Sequence, residues 1–493
     1  MVFARYIFIT TMTFLKIKKT KIVATIGPAT ENAPRMTALA KAGMNVIRLN
    51  FSHGSHEEHA KRIVLARAIA KKLNIPIALL QDLQGPRIRI GDFYKERVTL
   101  KTGSMFTLTT TPCVGDETRV YVNYVRLPRE VKKGGVISLD GEKKKLKILS
   151  IGKNTIVCRV VVGGETKGRR GLNVPGAVLS LSSLTAKDKK DLVFGIAHNV
   201  DFVALSFVRN PKDIRELRKI FVRTKKDIGI IAKIETAEAV EHIDAIIGLA
   251  DGIMIARGDL AIEVPAEDVP LIQKMIIQKC NTVGKPVITA TQMLESMITS
   301  PVPTRAEVSD VANSILDGTD AVMLSEETTL GAYPVEAVTV MANVALRVEP
   351  MLAQKHLLWF NKNAKEGMTG TVDAVAAAVV ETAEKVGAVA IIALTETGST
   401  ARMLARFHPK QPIVAMTPNE RTFRKLALSS GCFAGLVKGF RDINEATSII
   451  DVFVVHAKIA RKGEKVLIAG GIPFGKVGGT NMLFVHTVRS TAR

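Results

Sequence analysis

The sequence predicts an α/β protein: a (βα)8 barrel with an all-β lid domain inserted after strand three, then a C-terminal Rossmann-like α/β domain. Three observations predict it. Eight apolar, β-branched runs recur along the chain, most of them one βα unit apart. The gap between the third and fourth runs is far longer and holds short period-two stretches with glycine turns. Beyond residue 352 that rhythm ends and a separate strand–turn–helix pattern begins.

The eight runs are KIVATIG (21–27), NVIRLNFS (45–52), IPIALLQDL (75–83), VDFVALSF (200–207), IGIIAKIE (228–235), DGIMIARGD (251–259), KPVITATQ (285–292) and DAVMLSEE (320–327). The long gap contains RVTLKTGSMFTLTT, GVISLD, LKILSIG and TIVCRVVVGG, whose alternation reads as half-buried strands. The last module opens with VGAVAIIALTETGSTARMLARF and continues through QPIVAMTP and KVLIAGGIPFG. The expected division is an N-terminal extension (1–19), a barrel (20–86 and 175–352), a lid (87–174) and a C-terminal domain (353–493).

Composition narrows the function. The 47% hydrophobic content is rich in Ala, Val and Ile, which suits buried parallel strands. Cys113, Cys158, Cys280 and Cys432 are scattered without metal or CxxC spacing, so buried thiols in a reducing, cytoplasmic compartment are expected. The net charge is +23, and residues 87–174 hold 19 Lys+Arg against 8 Asp+Glu, a surplus of 11. That segment lacks aromatic stacking platforms, and GEKKKLK (141–147) reads as a solvated strand face. A small polyanion therefore fits better than nucleic acid as a partner. The opening apolar run is too short to span a bilayer, and no membrane association is expected. Met12 is an alternative start, and a targeting peptide is the other reading of the extension.

A barrel of this class keeps its chemistry at the carboxyl ends of its strands. The second run ends in Arg48, Asn50, Ser52 and His53, and Arg48 and Asn50 alternate with Leu49 and Phe51, on one face. The third ends in Gln81 and Asp82, followed by Arg87 and Arg89 in QGPRIR. The fifth drives Lys233 and Glu235 into the end of a run that otherwise wants burial. The sixth does the same with Arg257, Gly258 and Asp259; the seventh ends in Thr291 and Gln292, the eighth in Ser325, Glu326 and Glu327. One buried ion pair at a strand tip has a purely structural reading. Two neighbouring tips that both end in charge favour a shared site. Cations beside two carboxylates suit an oxygen-ligated Mg²⁺ or Mn²⁺ with a phosphorylated substrate. Phosphoryl transfer asks a protein mainly for alignment and charge neutralisation. There is no GxxxxGK[ST] loop, so that nucleotide fold is not indicated. His56 and His59 read as solvated helix residues, Trp359 as interface packing, and Met293 and Met297 as core behind Thr291.

The blocks KTKIVATIGPAT, GMNVIRLNFSHG, IIAKIE, DGIMIARGDLAIEVP, GKPVITATQMLESM, PTRAEVSDVANSILDGTDAVMLSEET and YPVEAV resemble, in order, those of the pyruvate kinase family. The resemblance implies transfer of a phosphoryl group from phosphoenolpyruvate to ADP, and a homotetramer. It implies that Glu235 and Asp259 bind the divalent metal, that Lys233 stabilises the phosphoryl group in flight and that Arg48 holds the phosphate. Thr291 would serve protonation of the enolate. Ala256, Arg257, Gly258 and Asp259 would form the turn that receives the substrate carboxylate. Thr25, Pro28, His53 and Arg89 match nucleotide-site positions, and Asp140 and Arg170 would close over the polyphosphate from the lid.

Two departures from the family pattern carry expectations. Asn50, Ser52 and Asp82 match potassium ligands, but Leu83 stands where K⁺-dependent members have Thr, and Arg87 where they have Glu. A guanidinium there would replace the ion's charge, so K⁺ is not expected to be required. The loop Thr395, Thr397, Gly398, Ser399 and Thr400 matches the family's effector loop, and Glu396 replaces a Lys found in bisphosphate-regulated animal members. A monophosphate effector or none is expected, with a plain helix N-cap as the other reading. Two rival functions stay open at this stage: a metal-dependent lyase or aldolase on the same barrel, and a silent scaffold.

Overall fold

The computed structural model describes residues 18–141, 143–177, 179–352, 370–475 and 478–489; the expected Met12 start, most of the N-terminal extension and Trp359 lie outside these. Eight parallel strands close into a barrel: β1 (Lys21–Thr25), β2 (Val46–Asn50), β3 (Ala78–Asp82), β4 (Phe202–Val208), β5 (Gly229–Ile234), β6 (Gly252–Ala256), β7 (Val287–Ala290) and β8 (Ala321–Leu324). Each strand neighbours the next, and β8 pairs with β1. The strands are shorter than the runs because polar ends leave the sheet. Past Ala256, Arg257–Glu263 is already helical; past Leu324, so is Glu326–Thr329.

The outer helices begin where capping chemistry places them. Ser55, Thr185, Asn210 and Thr304 each cap a helix, with Glu58, Asp188, Asp213 and Glu307 reaching back three residues on. Their apolar faces pack on the outward side of the strands around Ile22, Leu49, Leu79, Ile230 and Ile255. The inward side chains, among them Val23, Leu80, Ile231, Met254 and Met323, fill the barrel, so it is a packed core rather than a pore. Ala427 and Leu428 of the C-terminal domain join that interior cluster, plugging the barrel at the end opposite the strand tips.

Between β3 and β4 sits a β-rich module. A six-stranded sheet (order 172–173, 136–139, 144–151, 155–162, 105–109, 119–121) and a two-stranded sheet (97–100 with 164–167) enclose their own core around Phe106, Leu146, Ile148 and Val160. It is not wholly β: Leu127–Glu130 forms one short helix. Lys144 departs from the expected solvated face, since it is buried against Asp140 at 2.9 Å.

The C-terminal domain has a five-stranded sheet ordered 432–436, 413–417, 390–394, 465–470, 482–487, with only the last strand antiparallel and helices covering both faces. This is a doubly wound sheet whose order reverses beside strand 390–394. It grips the barrel from below. Arg424 reaches Asp201, just before β4, at 2.7 Å, and Ser430 N–H donates to Asp320, just before β8. Lys18 and Lys19, expected in the extension, are anchored: Lys18 donates to Thr20 O and Asn45, and Lys19 N–H donates to Glu349.

Candidate active site

At the carboxyl ends of β2, β3 and β5 a buried charge network is centred on Asp82. Its Oδ2 accepts from Arg48 Nε at 2.7 Å, and its Oδ1 lies 3.2 Å from Lys233 Nζ. Strand register explains the meeting, because Asn50 pairs with Asp82 and Thr25 with Arg48. Arg48 Nη1 also donates to Thr25 Oγ1, whose own proton goes to Leu324 O. Thr25 therefore holds Arg48 from inside the barrel and does not present its hydroxyl to solvent. Burial works against Asp82's charge, but Lys233 and Arg48 outweigh it and keep its pKa below the usual range.

Lys233, 8% exposed, donates to Ser206 Oγ at 2.7 Å and stands 2.9 Å from Glu235 Oε1. Burial opposes its charge too, yet Asp82 and Glu235 more than compensate and raise its pKa. Glu235 shifts the other way from a normal ion-pair partner. Burial, then the charge of Asp259, raise its pKa against the pull of Lys233, whose field is shared with Asp82. Its Oε2 accepts from Phe207 N–H at 2.6 Å, and its buried Oε1 faces the Lys233 ammonium at 2.9 Å. A buried carboxylate repelled by a second one, Asp259, is a donor set a small divalent cation would satisfy. Among the described residues no group of three or more His, Cys, Asp or Glu could hold a metal, so such a cation would take much of its shell from water or substrate.

In the turn after β6 the Arg257 guanidinium grips Asp310 at 2.6 and 2.7 Å and also donates to Thr291 O, which fixes the turn whose backbone N–H groups are expected to receive a carboxylate. Gly258 N–H donates to Thr291 Oγ1 at 2.8 Å, joining the expected carboxylate cradle to the expected proton-relay residue. Thr291 and Gln292 both have positive φ (70° and 55°), strain that a packed, functional turn can hold. Met293 and Met297 are buried behind it, as expected.

A crevice of about 180 Å³ between the lid root and the barrel mouth is lined by Arg87, Asn173, Phe207, Arg209, Asp259 and Glu263, among others. Arg87 thus shares a cavity with Asp259, while Asn50 and Ser52 lie at the end of β2, joined by a Ser52 N–H to Asn50 Oδ1 bond. Leu83 offers no polar side chain; its carbonyl accepts from Ser206. Arg89, Asp140 and Arg170 converge around Gly171 at the lid root: Arg89 bridges Gly171, Asp140 N–H donates to Gly171 O, and Arg170 is 3.6 Å from Asp140. Pro28 and His53 are exposed on the rim. His59 is not solvated. It is buried, stacked 4.2 Å from Phe51 and bonded to His53 O, while His56 pairs with Asp191.

In the C-terminal domain, Thr395, Thr397, Ser399 and Thr400 line a cavity of about 340 Å³ at the sheet's switch point, together with Glu396. Gly398 has φ 82° and its N–H donates to Thr395 Oγ1. Thr400 bonds Thr480, so the loop is braced from the opposite side.

Ser206, Phe207 and Asp310 also shape the site and are not among the residues expected from sequence. Ser206 ends the fourth run as other polar tips end theirs, whereas the Phe207 N–H and the distant Asp310 leave no local signal.

Two buried cations sharing a carboxylate, beside two further carboxylates that repel each other, on a barrel capped by a β-rich module, fit a phosphotransferase of the (βα)8 class. The family model "Pyruvate kinase, barrel domain" matches residues 17–338, and "Pyruvate kinase, alpha/beta domain" matches residues 373–486. The chain belongs to the pyruvate kinase family. It is 45% identical over 477 residues to the pyruvate kinase of Geobacillus stearothermophilus, covering 96% of this chain and 80% of that one. To that of Clostridium acetobutylicum it is 44% identical over 474 residues, covering 96% and 100%. A solved pyruvate kinase from Cryptosporidium parvum superposes with a TM-score of 0.91 at 36% identity, covering 96% of each chain. The chain is a phosphotransferase of the glycolytic reaction that moves the phosphoryl group of phosphoenolpyruvate to ADP, and its family uses a divalent metal ion. Among the described residues no helix is long and apolar enough to cross a membrane.

Proposed function

We propose that Arg48 and Lys233 carry the charge of the phosphoryl group during transfer, that Glu235 and Asp259 hold Mg²⁺ or Mn²⁺, and that Thr291 serves protonation of the enolate carbon. The observation behind this reading is a single constellation: an ammonium held charged by Asp82 and Glu235, with the buried Glu235 carboxylate in turn repelled by Asp259. A divalent cation there supplies positive charge to substrate oxygens in a site shielded from water. Arg48 and Lys233 neutralise the equatorial oxygens of the transferring group. The backbone N–H groups of the turn Ala256, Arg257, Gly258 and Asp259 receive the carboxylate of the donor, with the Arg257 side chain bracing it. Pro28, His53, Arg89, Asp140 and Arg170 line the nucleotide, and Thr25 acts on it through Arg48.

The division 20–86 with 175–352, 87–174 and 353–493 serves as barrel, lid and regulatory domain of a cytoplasmic homotetramer. Arg87, lining the same crevice as Asp259, supplies a fixed cation where related enzymes use K⁺, so Asn50, Ser52, Asp82 and Leu83 need hold no ion. The loop 395–400 takes a monophosphate in preference to a bisphosphate, because Glu396 lines the cavity. A coupled assay of pyruvate release with ADP, phosphoenolpyruvate and Mg²⁺ tests the reading. Equal rates in K⁺ and in a bulky inert monovalent cation are expected, and a steep loss without K⁺ would refute the role given to Arg87. Release of pyruvate without ADP would point to the lyase alternative instead.

A further inference from the structure

The pairing of β4 with β5 slips between Leu205 and Val208. Within the slip Phe207 takes φ 52°, a left-handed backbone that bulky residues avoid. In a regular strand successive residues address opposite faces. Here the bulge lets two neighbours serve the same partner strand. Ser206 Oγ accepts from Lys233 Nζ at 2.7 Å, and Phe207 N–H donates to Glu235 Oε2 at 2.6 Å. Ser206 is 1% exposed and passes its own proton to Leu83 O at 2.7 Å. Its acceptor lone pair is therefore aimed at the ammonium. The loop after β3 presses on the bulge: Gly85 has φ 69°, and a Cβ there would lie 2.9 Å from Ser206 Cβ.

An ammonium has three donors. One goes to Ser206, one faces Asp82 at 3.2 Å and the third faces Glu235 Oε1 at 2.9 Å. Without Ser206 only the two carboxylates would hold the ammonium, leaving it free to swing towards either of them. We propose that Ser206, set in the β4 bulge, is a positioning residue for phosphoryl transfer: it aims the Lys233 ammonium, while the adjoining N–H holds Glu235 by Oε2 and leaves Oε1 facing Lys233. This rests on the role given to Lys233 above.

The test measures kcat, the KM values and Mn²⁺ affinity (by electron paramagnetic resonance) for Ser206→Ala, Ser206→Cys and Lys233→Met in the full chain. Losing a hydrogen bond to a charged group predicts that Ser206→Ala lowers kcat roughly 10- to 100-fold. The KM for ADP and Mn²⁺ affinity should stay within about twofold, as for sites that do not couple. Ser206→Cys, close in size with a weak acceptor, should recover part of kcat. If Lys233→Met is inactive while Ser206→Ala retains wild-type kcat, the inference on Ser206 fails and the role of Lys233 stands. A kcat loss accompanied by an equal loss of Mn²⁺ affinity would also overturn it, because Ser206 would then be merely structural. An active Lys233→Met would overturn the underlying reading itself.

Discussion

Each oxygen of Asp82 faces one buried cation, Arg48 on one side and Lys233 on the other. Removing that carboxylate strands two desolvated positive charges, which costs far more than the pair contributes when intact. Asp82→Ala is expected to lose about 3–5 kcal/mol of stability in urea unfolding, the range for breaking a buried pair. A loss near that of an exposed pair, about 0–1 kcal/mol, would mean that water reaches the network. At this scale the sequence was informative where it broke its own pattern. Lys233, Glu235 and Asp259 stood out because charge ended apolar runs, and the structure assembles them at one mouth. Arg257 showed the same signal and plays a bracing part, since its partner Asp310 lies 53 residues away. His59 likewise reads as solvated in sequence and is buried in the fold.

The elements that aim these residues are a bulge, a strained turn and short helices. Gly85 belongs to the first. With its positive φ and Ser206 against it, Gly85→Ala should push the bulge away from β5, lower kcat and destabilise the protein by about 1–3 kcal/mol. A crystal structure of that variant with Ser206 unmoved and full activity would contradict this account. By contrast, Thr304 caps a helix away from the charge network, with Glu307 closing the box. Thr304→Ala should cost about 1 kcal/mol by thermal or chemical unfolding and leave kcat intact. Barrel strands were legible because their period is local. The lid strands 119–121, 164–167 and 172–173 were not, being too short for a period to register. Nor was the bulge, because a slip in register depends on the neighbouring strand.

Across the whole molecule, the C-terminal domain holds the barrel strands from below. Thr422 donates to Glu396 O in the 395–400 loop, and two residues on Arg424 holds Asp201 at the root of β4, the strand whose other end carries Ser206. Lys425 holds Asp227 ahead of β5. Within the barrel, Lys18 is buried and bonded to Thr20 O and Asn45; burial and, to a lesser degree, Lys21 push its pKa down from 10.5 to about 7. A lysine depressed in the folded state contributes stability above its unfolded pKa and loses it as pH falls through the folded one. Lys18→Met should therefore raise Tm most below pH 7, with the advantage shrinking as pH climbs toward 10.5. Asn45 Oδ1 keeps its bond from Ile22 N–H in that variant. An advantage independent of pH would show that Lys18 is not buried as a charge. None of this interface was legible in the sequence, since it joins residues hundreds of positions apart.

The account depends on Glu235 and Asp259 sharing a divalent cation, and Mn²⁺ titration of the wild type and Glu235→Gln reaches that most directly. Gln keeps an oxygen for Phe207 N–H, so the fold is preserved while the negative charge is lost. Glu235→Gln is expected to bind Mn²⁺ at least about tenfold more weakly than the wild type. Equal affinity in the two proteins would contradict it.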